Sequence, residues 1–145
     1  MRTKEFLSRL DDDEIVRAIR SAEKGSSGQI RVFVQRGKME SDPLEIAQKK
    51  FAQLGMEKTK ERNGILIFVV PRARKFAVVG DEGVHAKCGP EFWQRLVAAM
   101  RNHFANENFT EALVEAIREA GDLLTRHFPR TSANANELPD EIIES

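Results

Sequence analysis

The sequence has one cysteine, no surplus of either charge and no long apolar run. With Cys88 alone, no disulfide can close within the chain, so nothing in it reports an oxidising compartment. Its 23 basic residues are matched by 23 acidic ones. Gripping a phosphate backbone requires an excess of Lys and Arg, so nucleic acid is not an expected partner. The longest apolar stretch, Ile65 to Val70, is strand-sized, far short of the about 20 residues a membrane span needs. The first 13 residues, rich in charge, contain no apolar core of a signal peptide. These absences set the expectation of a cytoplasmic protein that does not insert into membranes.

What is present is ordinary for a globular domain: 145 residues, 41% hydrophobic and 32% charged. That length suits one domain, long enough to bury about two thirds of the surface its unfolded chain exposes. Leu7, Leu10, Ile15, Ala18, Ile19 and Ala22 recur at helical spacing, and Asp11-Asp12-Asp13 reads as a helix start, with Asp11 as the cap. Ile30, Val32 and Val34 alternate as in a strand. Asp42-Pro43-Leu44-Glu45 combines an N-cap, Pro at the first helical position and a reciprocal Glu, opening a helix that Gly55 stops.

Ile65 to Val70 and Phe76 to Val79 are apolar on both sides and β-branched, and Pro71-Arg72-Ala73-Arg74 joins them as a hairpin turn. Two later helices are predicted, one opened by Pro90 and one by a capping box of Asn108 with Glu111. Phe92, Trp93, Phe104 and Phe109 read as core at helical spacing. Strands apolar on both faces require helices on both faces, so the expected fold is a three-layer α/β/α sandwich around a small mixed sheet. Residues 1–128 form the single domain. Residues 129–145 form a polar acidic tail, with four acidic and no basic residues from Thr131 onward.

Strand order brings polar turns together. A helical crossover makes the first two strands parallel if they share a sheet, and the hairpin makes the third antiparallel. The C-terminal end of the third strand therefore lies beside the N-terminal ends of the others. Ser26-Ser27-Gly28-Gln29, Arg62-Asn63-Gly64 and Gly80-Asp81-Glu82-Gly83 meet at that edge. Asp81, Glu82 and the Asn63 side-chain oxygen are hard donors suited to calcium or magnesium. Arg62 has the planar fork that pairs with phosphate or carboxylate, and Ser27 and Gln29 complete the ligand-binding set.

The succession Ser26-Ser27-Gly28-Gln29-Ile30-Arg31-Val32, Leu54-Gly55-Met56-Glu57-Lys58-Thr59, Arg62-Asn63-Gly64-Ile65-Leu66-Ile67 and Val79-Gly80-Asp81-Glu82-Gly83 resembles the TPM domain family. That family groups a thylakoid lumen phosphatase-like protein, a photosystem II repair protein and a levamisole-receptor modulator. The resemblance runs from about Ile15 to Phe128. It implies an α/β/α sandwich, divalent-cation binding in some members and an acid phosphatase activity attributed to some. Gln29 stands where the family commonly has Glu, which removes one charge from the ion site.

Other candidates carry less chemistry. One turn of helix after Asp81 would align it with His85 and Cys88, yet zinc sites draw on a second Cys/His pair, and none follows. His103 and His127 sit near helix C-termini, where a cation meets the dipole favourably. Arg72, Arg74 and Lys75 make a basic hairpin tip. The Cys-x5-Arg phosphatase signature is absent, and no general acid can be named, so the catalytic residues are unknown. Two functions follow: a calcium- or magnesium-binding domain with at most weak phosphatase activity, or a non-enzymatic module that supports assembly or quality control of a protein partner.

Overall fold

A computed structural model describes residues 1–130 and 142–144. Its helices are α1 (Thr3–Ser8), α2 (Asp12–Lys24), α3 (Pro43–Gln53), α4 (Glu82–His85), α5 (Pro90–Ala105) and α6 (Phe109–His127). Its strands are β1 (Gln29–Val34), β2 (Gly64–Val70), β3 (Lys75–Gly80) and β4 (Ile142–Glu144). They form one mixed sheet in the order β3-β2-β1-β4. β1 and β2 run parallel with Gln29 beside Gly64, and β2 and β3 run antiparallel with Ile65 beside Gly80.

Alternation decides which layer each side chain joins. Ile30, Val32, Val34, Ile65, Ile67 and Val69 point to one face, where α2, α5 and α6 bury Ile15, Ile19, Met100, Leu113 and Ile117 against them. Phe33, Leu66, Phe68 and Val70 point to the other, where α3 and the turn after it supply Ala47, Phe51 and Met56. The sheet is therefore sandwiched between helical layers, as the doubly apolar strands require.

Helix starts follow their side chains in two cases. Asp11 Oδ1 accepts the Glu14 amide at 3.0 Å, and Asp42 Oδ2 accepts those of Leu44 and Glu45. The capping box expected at Asn108 does not form. The Asn108 side chain caps nothing; instead its backbone N–H donates to the His103 carbonyl at 2.8 Å, which ties the start of α6 to the end of α5. Backbone closure of the short connection replaces the side-chain cap. In the acidic tail, Ile142–Glu144 add a parallel strand beside β1, while residues 131–141 and 145 lie outside the described residues. No helix among the described residues is long and apolar enough to cross a membrane.

Candidate functional site

All six residues singled out from the sequence stand at one end of the sheet, where β1 and β2 begin and β3 ends. The Ser27 amide donates to the Phe128 carbonyl at 2.9 Å, which fastens the entry to β1 onto the end of α6. Its hydroxyl then bridges two segments, donating to Glu61 Oε1 at 2.9 Å and accepting from Asn63 Nδ2 at 3.1 Å. Buried Gln29 donates from Nε2 to the Ser27 carbonyl at 3.4 Å. The Asn63 amide in turn donates to Thr59 Oγ1 at 3.2 Å. Two of the three turns are thus stitched together by side chains.

The charged half of the cluster centres on Arg62. Its fork pairs with Asp81 in two bonds, Nε to Oδ2 at 2.8 Å and Nη2 to Oδ1 at 2.9 Å, while Nη1 reaches Glu82 Oε1 at 3.1 Å. Arg62 takes a left-handed backbone, φ 52°, at the turn before β2. Its carbonyl accepts the Gly83 amide at 2.9 Å, and a side chain on Gly83 would put Cβ only 2.2 Å from the Glu61 carbonyl oxygen. This close backbone approach is what lets α4 sit on the Glu61–Arg62 turn and present Asp81 to the guanidinium. Asp81 also accepts the Glu82 amide at 2.8 Å as the N-cap of α4.

Electrostatics follow this geometry. The hydrogen bonds that Arg62 donates to Asp81 raise its pKa, desolvation opposes them, and the charges of Asp81, Glu82 and Glu57 raise it further. Exposure distinguishes the partners: the Asp81 side chain is 5% exposed, that of Arg62 41% and that of Glu82 72%. Asp81 is the fixed point, and Arg62 and Glu82 can move into solvent.

The donors are all oxygen, which suits calcium or magnesium in kind. Their arrangement is another matter, because both Asp81 oxygens face Arg62. Among the described residues no three His, Cys, Asp or Glu side chains stand together so as to hold a metal ion. Arg62 pairs bidentately as its fork predicts, but its partner is a carboxylate of its own chain. Three contributors are missing from the predicted site residues: Glu61 on Ser27, Thr59 on Asn63 and Glu57, whose charge acts on Arg62. Their position directly before Arg62-Asn63, in the turn that must reach the other strand ends, is the signal that would have found them.

The remaining titratable residues go elsewhere. His85 packs its ring on Trp93 with centroids 5.1 Å apart. Burial raises the Cys88 pKa. His103 pairs through Nε2 with Glu115 on the adjacent helix, a tertiary partner that outranks the helix-end placement.

Comparison with known proteins bears on this geometry. The TPM domain family matches residues 1–123. The solution structure of the BA42 protein from the psychrophilic bacterium Bizionia argentinensis is similar, with a TM-score of 0.85 and 36% identity over 94% of this chain and 96% of that one. The N-terminal domain of a P. gingivalis protein shares the fold at a TM-score of 0.58 and 21% identity, covering 81% of this chain and 75% of that one. The N-terminal domain of the cg2496 protein from Corynebacterium glutamicum shares it at 0.56 and 11%, covering 95% and 82%. No curated protein matches.

Proposed function

The chain belongs to the TPM domain family, and on that premise we propose that it binds a divalent cation, calcium or magnesium, at the Arg62–Asp81 edge in exchange for the Arg62 guanidinium. One observation carries this reading: a half-exposed guanidinium already sits among the carboxylates of Asp81, Glu82 and Glu57. A place that holds one positive charge this way attracts two charges more strongly. Arg62 can rotate into water without leaving a buried cation behind, whereas buried Asp81 stays to receive the ion. Asp81, Glu82 and Asn63 would hold it, and Ser27 and Gln29 would support the turns that carry them.

A bound ion would polarise a phosphoryl oxygen. Arg62, once off Asp81, has its fork free for a phosphate. The cluster is built of Ser, Gln, Asn, Arg, Asp and Glu, with no histidine or cysteine poised to donate a proton to a leaving group, so binding is the main activity and ester hydrolysis is slow at most.

Isothermal titration of calcium and of magnesium into the protein tests the reading. The expected Kd is on the order of 10⁻⁴–10⁻³ M, the range of sites with few fixed ligands. Arg62→Gln removes the competing cation and should tighten binding about tenfold. Asp81→Asn should abolish it. Absence of heat in every variant, or heat unchanged by Asp81→Asn, would overturn the proposal.

A further inference from the structure

The outer edge of β3 supports an inference that does not rest on the cation site. β3 ends the sheet, with β2 as its one neighbour among the described residues. The phase of that pairing is set by the Asp81 amide, which donates to the Gly64 carbonyl at 2.9 Å. Counting back by twos along an antiparallel ladder, Val79, Ala77 and Lys75 turn their backbone groups toward β2. Phe76, Val78 and Gly80 therefore turn theirs outward, to the open edge.

That edge is recessed. α3 stands on one side with Leu44 and Gln48, α5 on the other with Trp93 and Val97, and the groove between them encloses about 700 Å³. Among the described residues, Leu44 is the large apolar side chain left most exposed, at 45%. Ala77 and Val79 face the α3 wall, while Phe76 and Val78 face the α5 wall. Gly80 lets the Trp93 ring close over the strand, since a Cβ there would lie 2.5 Å from it. A strand edge with free donors and acceptors is a template for another strand.

We propose that this groove takes an extended segment of a partner protein as an added strand, β-branched side chains alternating to the α3 and α5 walls and an acidic end meeting the basic hairpin tip. The shape selects an extended segment over a second copy of the chain. A second β3 is equally recessed between its own α3 and α5, so the two edges cannot reach each other without the helices colliding. Charge selects an acidic end. Among the described residues the groove lining contains no Asp or Glu, and β3 enters it from exposed Lys75, after the turn that carries exposed Arg72 and Arg74. Volume is adequate as well, within the roughly 300–1,000 Å³ of ligand clefts.

The test uses the full chain, ¹⁵N-labelled, in buffer containing EDTA. The probe is the acetylated peptide Val-Thr-Val-Thr-Val-Asp-Glu, beside a second in which Lys-Lys replaces Asp-Glu. The expected result is movement of the Phe76, Val78 and Gly80 amide signals and of the Trp93 indole. Val78→Pro removes an outward donor that β2 does not use, and should weaken binding about tenfold. Lys75→Glu changes only an exposed side chain and should reverse the preference between the two peptides, which decides the matter even if Val78→Pro fails to fold. No shifts at millimolar peptide, shifts confined to other surfaces, or a preference unmoved by Lys75→Glu would overturn the proposal. So would concentration-dependent broadening of the β3 amides without peptide, which would mean that a second copy covers the edge.

Discussion

The end of the sheet around Arg62 and the edge of the sheet along β3 are built from neighbouring stretches of chain, and they manage polar groups in opposite ways. At the first, three turns converge and the central side chains pair within the molecule: Ser27 with Glu61 and Asn63, Arg62 with Asp81 and Glu82. Along the second, the outward backbone groups of Phe76, Val78 and Gly80 face a groove walled by apolar side chains. On the proposed readings, the packed polar cluster would bind by exchange, giving up an internal ion pair for an external ion. The groove would bind by addition, its occupant pairing with the outward backbone groups of β3.

Two glycines break or sharpen that contrast most strongly. A Cβ on Gly83 would meet the Glu61 and Arg62 carbonyl oxygens at 2.2 and 2.5 Å, both backbone. Gly83→Ala should therefore force α4 off the turn and destabilise the protein by about 2–3 kcal/mol in urea unfolding. A Cβ on Gly80 would lie 2.5 Å from the Trp93 ring, a side chain on the groove wall rather than backbone. Gly80→Ala should cost about 1 kcal/mol or less. Equal costs would mean that the groove wall is as rigid as the cluster.

Ser27→Ala is expected to fall between them. It strips Glu61 and Asn63 of a shared partner, and chemical denaturation should register about 1–2 kcal/mol, most of it from buried Asn63. The smallest effect concerns Cys88, which lines the groove. Because burial raises its pKa, the thiolate population stays low until pH climbs past the ordinary thiol value. Iodoacetamide should modify it several-fold more slowly than a free thiol at pH 8, with the difference closing as pH rises. Saturating the groove with the acidic peptide should slow it further.

Much of this architecture is legible in the sequence because it rests on local period. Doubly apolar Ile65 to Val70 announces a sheet covered on both faces, and one crossover followed by one hairpin suffices to bring Ser27, Asn63 and Asp81 together. Features that depend on distant neighbours are not legible in this way. Ile142 and Ile143 stand in a polar stretch too short to show a period, yet they pair with β1. The Arg62 fork asks for an oxyanion, but only the docking of α4 makes Asp81 that partner. The groove depends on β3 being the edge strand and on the spacing of α3 and α5 around it, and no run of residues encodes either.

Exchange at Arg62 is the central claim, and the Arg62 Nε–H signal in ¹⁵N spectra reports it most directly. As calcium is added, that signal should leave its hydrogen-bonded position and take on the shift and rapid solvent exchange of a free guanidinium. It should do so with the same apparent Kd as the heat of binding, and the Asp81 carboxyl carbon should move in step. Calcium heat accompanied by an unmoved Arg62 signal would contradict the account, because the ion would then be binding elsewhere while the Arg62–Asp81 pair stayed closed.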